Sequence, residues 1–232
     1  MPKKQKNVAV RIAVNNIKSS KYYYHKLNKM NTSTKKHWET VYETKQPNEV
    51  SWTQEVPLTS LDFIHSFNCQ KTAKIIDIGG GDSKLVDYLL KEGYKNITVL
   101  DISAKALERA KKRLGEKAEQ VIWIASAIEN FEPKEKYDIW HDRATFHFLT
   151  TKNQITKYLS IAKKAVTSFL TIGTFSENGP KKCSGLDIKQ YSENELQTVL
   201  NTGFEKIKCI TENHITPFNT TQNFLFCSFK PN

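Results

Sequence analysis

Lys74-Ile-Ile-Asp-Ile-Gly-Gly-Gly-Asp-Ser83 is the stretch that decides the fold. A short apolar run, Ile75 to Ile78, ends in three glycines and passes into Leu85-Val-Asp-Tyr-Leu-Leu90, whose apolar residues recur at helical rather than alternating spacing. This reads as strand, tight turn, helix. In an open parallel sheet, ligands collect at the carboxyl ends of the strands, and a turn without Cβ atoms lets a ligand approach the backbone there. Asp77 adds a carboxylate at that edge.

Working outward, Asn96-Ile-Thr-Val-Leu-Asp-Ile102 is a second apolar run, and its Asp101 lies 22 positions beyond Gly79. An acid about 20 residues after a glycine turn, at the tip of the next strand, is placed to accept hydrogen bonds from a ribose. The ligand is therefore expected to be a nucleoside. A dinucleotide fingerprint requires a third glycine where Lys84 stands, and a Walker loop requires Gly-Lys-Ser/Thr where Gly81-Asp82-Ser83 stands. With Asp77 and Asp82 beside the turn, the site suits an amine or a sulfonium better than a phosphate.

These residues resemble the first motif of class I S-adenosylmethionine-dependent methyltransferases, with Asp77, Gly79, Gly81 and Asp101 on the matching positions, and the neighbouring Gly80 and Ile102 are expected to contact the same cofactor. The resemblance extends over about residues 36 to 230. It implies a doubly wound α/β fold with a mostly parallel seven-stranded sheet, closed by an antiparallel hairpin at the carboxyl terminus. It also implies S-adenosylmethionine as the cofactor. In related enzymes an aromatic amino-terminal segment folds over the cofactor, which makes Trp38, Tyr42 and Trp52 candidate lid residues; Trp38, Val41 and Tyr42 share one helical face. An aromatic face also attracts a sulfonium. Many relatives place an acid just after the third strand, here Val121-Ile-Trp-Ile-Ala125. This chain has Ser126-Ala127-Ile128 instead, with Glu129 later, so the adenine is expected to rest on the backbone of Ala127 and Ile128.

The most chemically loaded segment is Tyr137-Asp-Ile-Trp-His-Asp-Arg-Ala-Thr-Phe-His-Phe-Leu149. Tyr137 to Trp140 read as a fourth strand, so His141, Asp142 and Arg143 emerge at its carboxyl end. An acceptor that arrives protonated needs a base. His141 and His147 are candidates for that role, with Asp142 orienting or binding the acceptor and Arg143 either pairing with Asp142 or touching substrate. An Asp-Arg pair here is similar to thiopurine methyltransferases and to lysine methyltransferases of elongation factors or citrate synthase. That similarity favours a protein lysine amine as acceptor. A small-molecule or RNA acceptor, a nicotinamide-dependent oxidoreductase and a non-catalytic nucleoside-binding protein stay open as alternatives.

Composition narrows the setting. The 232 residues, 38% hydrophobic, suit one α/β domain, and no stretch approaches the roughly 20 apolar residues that a spanning helix needs. The formal charge of +11 is concentrated in residues 1–36, which hold ten lysines and arginines and no acid, leaving +1 for the rest. Residues 1–35 are thus expected to be a basic, mobile extension and residues 36–232 the folded domain. The arm can contact nucleic acid through charge alone, with Tyr22-Tyr-Tyr-His25 available for stacking. It weakly imitates an organelle presequence, and a start at Met30 would remove it. Cys69, Cys183, Cys209 and Cys227 lie far apart with no Cys-x-x-Cys pair, so no metal site is expected, and the cysteines read as reduced thiols of a cytoplasmic monomer.

Along the chain, Ser103 caps a helix whose stripe is Ala106, Leu107, Ala110 and Leu114, closed by Gly115. Thr156 to Val166 reads as a further helix and Phe169 to Phe175 as a fifth strand. Ser192 caps a helix ending near Leu200, and the strands Phe204 to Ile210 and Asn223 to Phe229 form the terminal hairpin.

Overall fold

The computed structural model describes residues 32–232. The arm up to residue 31, with Tyr22-Tyr-Tyr-His25 and Met30, lies outside the described residues. Residues 32–44 form the first helix, α1, which therefore begins four residues ahead of the expected domain start.

The glycine stretch folds as read, with strand β1 at Lys74–Ile78, the turn, and helix α3 at Leu85–Lys91. Helix α2, Leu58–Ser66, precedes them, and β2 (Asn96–Asp101), α4 (Ala104–Leu114), β3 (Val121–Ala125), β4 (Tyr137–Arg143), α5 (Lys152–Ala165) and β5 (Val166–Phe175) follow. After a small hairpin, β6 (Lys182–Cys183) and β7 (Leu186–Asp187), come α6 (Glu193–Leu200), β8 (Phe204–Ile215) and β9 (Thr221–Pro231). Local chemistry sets the helix starts: Ser103 accepts from the Ala106 N–H, and Thr151 and Ser192 each form a capping box with Gln154 and Glu195. The Thr151 box explains why α5 starts earlier than its apolar spacing suggested.

The main sheet has seven strands in the order β3-β2-β1-β4-β5-β9-β8. β1 to β5 pair in parallel, and β9 and β8 add the antiparallel hairpin. The order reverses between β1 and β4, so a crevice opens at the carboxyl ends of those two strands. Helices cover both faces. Ile75, Ile97, Val99 and Ile139 pack with Leu61, Leu85, Leu89 and Leu107 on one side, and Ile76, Ile78, Trp140 and Leu170 with Tyr158, Ala162 and Leu196 on the other.

Three expectations are corrected. β4 runs three residues past Trp140, so His141, Asp142 and Arg143 belong to the strand. Successive strand side chains alternate between faces, and Asp142 follows Trp140 onto the α5 side, where it is fully buried. The hairpin strands extend to Ile215 and from Thr221, because the exposed edge strand carries polar residues that hide its length. Cys209 and Cys227 are not reduced: they stand directly opposite in the hairpin register and form a disulfide, while Cys69 and Cys183 are free. No helix among the described residues is long and apolar enough to cross a membrane.

Asp142 anchors a buried polar network. Its Oδ1 accepts from the backbone N–H groups of Thr145 (3.2 Å) and Phe146 (3.0 Å), and its Oδ2 accepts from the Tyr158 hydroxyl at 2.8 Å, which in turn accepts from the Trp140 indole N–H at 2.8 Å. Burial pushes the Asp142 carboxyl up to about 7 against these donors, which favour its ionised form. Tyr158→Phe removes a donor to the carboxyl and orphans the buried indole N–H, so we expect a loss of about 2 to 3 kcal/mol in stability, read as a lowered urea midpoint at unchanged slope. An unchanged midpoint would show the network to be dispensable.

Candidate active site

The glycine turn is fixed from three directions. The Gly79 and Gly80 N–H groups both donate to the Leu100 carbonyl at the end of β2, at 2.7 and 3.2 Å. Gly79 has φ +66°, and a Cβ there would fall 1.7 Å from the Thr145 hydroxyl oxygen. Gly81 has φ +51°, and a Cβ there would meet the Tyr42 hydroxyl at 2.7 Å. Thr145 fills the space behind the turn and Tyr42 covers its front, so a larger residue fits neither position.

Asp77 and His141 are direct partners in the parallel register of β1 and β4. Both are buried, and His141 Nδ1 lies 2.7 Å from Asp77 Oδ1. Because a carboxylate only accepts, Nδ1–H is the donor of this pair. Nε2 is enclosed and has no hydrogen-bond partner.

One strand farther along, Asp101 is buried, and its Oδ1 accepts from the Ser103 N–H at 2.7 Å. Burial first, then the nearby Asp82, Asp77 and Glu39, push its carboxyl up to about 7. Burial also raises Asp82, opposed by Arg109 and Arg113. This half of the crevice thus concentrates carboxylates and suits a ligand that brings hydroxyl donors and positive charge.

The amino-terminal segment closes over the crevice. Glu39 of α1 accepts from the Ser103 hydroxyl (2.9 Å) and from the Ala104 (2.9 Å) and Lys105 (3.1 Å) N–H groups, capping α4 from outside its own chain segment. Trp38, Tyr42 and Trp52 form one aromatic group, with the Trp38 and Trp52 centroids 5.6 Å apart and those of Tyr42 and Trp52 6.3 Å apart. Phe148 joins from beyond β4, 5.2 Å from Trp38. The loop is held at two carbonyls: His214 Nε2–H donates to Ser51 O at 2.7 Å and Arg143 Nη1–H to Trp52 O at 2.9 Å.

Beneath this cover lies a cavity of about 460 Å³. The structure brings to it Asp77, Gly79, Gly80, Asp101, Ile102, Ala127, Ile128, Trp38, Tyr42, Trp52 and His141, while Gly81 packs under Tyr42. It keeps two expected residues away. Asp142 lies inside the network described above, and His147 is fully buried, stacked on Phe175 at 4.5 Å with an interplanar angle of 9°. Burial, with a contribution from Arg143, pushes the His147 pKa down to about 3, so its ring stays neutral. Neither reaches the cavity.

The structure also supplies residues that the sequence reading did not assign. A turn of 3₁₀ helix, Ile128–Asn130, swings Glu129 back to the cavity wall, where its buried carboxylate accepts from Gln154 Nε2 at 3.1 Å. An acid three residues beyond the expected position was the only signal for it. Ser126, Phe148 and Cys183 also border the cavity, as does Arg143, for which the sequence left pairing with Asp142 or contact with substrate open.

Residues 75–168 match a family model described as a methyltransferase domain. The chain is 33% identical over 125 residues to a malonyl-[acyl-carrier protein] O-methyltransferase of Anoxybacillus flavithermus, covering 51% of this chain and 47% of that protein. It is 30% identical over 98 residues to malonyl-[acyl-carrier protein] O-methyltransferase 1 of Ilyobacter polytropus, covering 42% and 35%. The chain thus spans at most about half the length of these curated relatives. In structure it is similar to the N-methyltransferase NodS of Bradyrhizobium japonicum in complex with S-adenosyl-L-homocysteine, with a TM-score of 0.61 at 16% identity over 77% of this chain and 89% of that one. It is also similar to the 1,6-didemethyltoxoflavin-N1-methyltransferase of Burkholderia thailandensis, with a TM-score of 0.62 at 16% identity over 90% and 89%. Residues 75–168 are therefore a methyltransferase domain, and the described chain carries it within the class I S-adenosylmethionine-dependent methyltransferase fold.

Proposed function

We propose that this chain transfers a methyl group from S-adenosylmethionine to an acceptor entering the crevice beside β4. One observation carries the reading: a buried Asp101 carboxylate lies one strand from a glycine turn with no room for Cβ atoms, under an aromatic cover. The cavity volume falls within the range of roughly 300 to 1,000 Å³ usual for small-molecule sites.

The residues fit the donor in an ordered way. Asp101 would accept from the ribose diol, the backbone and side chains from Ser126 to Glu129 would hold the adenine, and Asp77 with the glycine turn would take the ammonium-bearing end. Trp38, Tyr42 and Trp52 would exclude water and face the sulfonium. The donor supplies an electrophilic methyl whose transfer neutralises a sulfonium. A nicotinamide dinucleotide would instead bring a diphosphate to a turn flanked by Asp77 and Asp82, which oppose it.

On the acceptor side, His141 is the remaining candidate base. Asp77 holds its ring at Nδ1, and Nε2, left without a partner in a residue that borders the cavity, is the atom that would take a proton from a nucleophile that arrives protonated. The preference for a protein lysine leaned on the Asp142-Arg143 pair, and Asp142 no longer supports it. A lysine ammonium would also meet the Arg143 guanidinium in the crevice. The curated relatives are named for a malonyl group on a carrier protein, and we favour an acceptor without positive charge over a lysine side chain.

Two outcomes test this reading. Asp101 has to be ionised to accept from a diol, and its carboxyl sits at about 7 in the unliganded protein. Affinity for S-adenosylhomocysteine should then be full above pH 7 and weaken as pH falls through 7, about tenfold between pH 8 and pH 6, with Asp101→Asn giving a weak and flat profile. A flat profile in the unaltered protein would remove Asp101 from the ribose. His141→Gln should cut radiolabelled methyl transfer into whole-cell extract about 100- to 1,000-fold while the protein still binds S-adenosylhomocysteine. Full transfer by the variant would rule His141 out as base.

A further inference from the structure

At the tip of β4 the cavity is bordered by a cation that the donor does not use. Arg143 leaves the tip of β4 and borders the cavity. Its guanidinium is fixed at two points. Nη1–H donates to Trp52 O at 2.9 Å, and Cζ sits 4.9 Å above the centre of the Phe224 ring. The opposite edge, Nε and Nη2, has no contact with solvent and no hydrogen-bond partner. No carboxylate among the described residues comes within ion-pair distance of it, although Glu212 and Asp77 act on it from farther away. Its other titratable neighbours are neutral near pH 7, since burial pushes the Cys183 thiol up to about 11, and burial with the Arg143 charge lowers both His147 and His214.

An enclosed guanidinium with two N–H groups unmade is costly unless a ligand completes it. The free edge is also specific in shape. Nε–H and Nη2–H run parallel and in one plane, the side-on arrangement that takes both oxygens of a carboxylate. The strand order gives it a place in the reaction. The donor residues occupy the tips of β1, β2 and β3, and β4 lies on the other side of β1, so a group held on Arg143 stands beside β1 on the side opposite β2 and β3.

We infer that Arg143 is the acceptor-recognition residue of this site, and that it binds a carboxylate carried by the methyl acceptor, side-on, through Nε and Nη2. The inference rests on the methyltransferase reading above for its word acceptor. Recognition itself requires only that a carboxylate fill the free edge. A carboxylate there neutralises the buried charge and leaves the rest of the acceptor between His141 and the aromatic cover.

The test is calorimetric titration of malonate, with malonamide as its uncharged counterpart, into the protein saturated with S-adenosylhomocysteine. We expect malonate to bind at least about tenfold more tightly than malonamide, since only the former offers a planar anion to two donors. Arg143→Lys keeps a positive charge and a donor for Trp52 O but loses the planar edge, and should weaken malonate at least about tenfold. Arg143→Gln should abolish the preference for malonate over malonamide. Equal binding of malonate by the unaltered protein and both variants would overturn the inference, as would absence of malonate binding to a protein that binds S-adenosylhomocysteine. If S-adenosylhomocysteine itself fails to bind, the donor reading falls separately, and the same titrations on the unliganded protein still decide whether Arg143 binds a carboxylate.

Discussion

The site depends on one steric constraint, the conformation of the chain as it leaves β1. Gly79 and Gly80 turn so that two N–H groups reach a single carbonyl on β2, and Thr145, beyond β4, occupies the space where a Gly79 side chain would stand. The Thr145 hydroxyl also donates to Ile78 O at 3.3 Å. The tips of β1, β2 and β4 are thereby locked to one another through a residue with no side chain. Asp77, Asp101 and His141 inherit their spacing from that lock, because each sits at or just before the end of one of these strands.

The crevice so formed is electrically divided. On the β1 and β2 side, Asp77, Asp82, Asp101 and Glu39 crowd together, and burial with mutual repulsion raises the Asp101 carboxyl. On the β4 side the unpartnered group is a buried guanidinium edge. A single ligand would have to carry cationic and anionic ends to satisfy both halves. Two ligands satisfy them more simply, a positively charged donor with hydroxyl groups on one side and an acceptor bearing a carboxylate on the other. The field that holds each in its own half also keeps it out of the other.

How much of this was legible in the sequence follows from which interactions are local. The strand-turn-helix around Gly79, the acid at Asp101, the Ser103 and Ser192 caps and the aromatic spacing of Trp38 and Tyr42 are set by neighbours in the chain, and each was readable. Asp142 was misassigned because β4 extends past Trp140, and His147 because the short 3₁₀ turn Phe146–Phe148, which carries it inward against Phe175, has no periodic signal. In a loop, all of His141, Asp142 and Arg143 can face a ligand. In a strand only alternate residues can, and the register of Ile75 with Ile139 and Asp77 with His141 puts His141 on the Asp77 side and Asp142 on the other. The cysteine pair was hidden for a similar reason, since the register of Cys209 with Cys227 depends on where a long hairpin turns, and a shift of one residue separates them. Glu39 capping α4 joins residues 64 positions apart or more, and no periodicity announces such a contact.

The cover over the cavity links these features. It is pinned to the donor side by Glu39 on the amino end of α4, and to the acceptor side by His214 on Ser51 O and Arg143 on Trp52 O. Arg143 therefore serves two partners with opposite edges of one rigid plane. It cannot rotate to meet an acceptor without releasing the Trp52 carbonyl, and it cannot lose that carbonyl without freeing the aromatic group over the donor. Because the guanidinium is planar and Phe224 supports one of its faces, a carboxylate approaching in the plane meets donors already aligned, and its binding reinforces the position of Trp52. Recognition of the acceptor and closure over the donor thus pass through the same side chain. A site built this way favours the closed arrangement when both halves are filled, which is when exclusion of water serves the reaction.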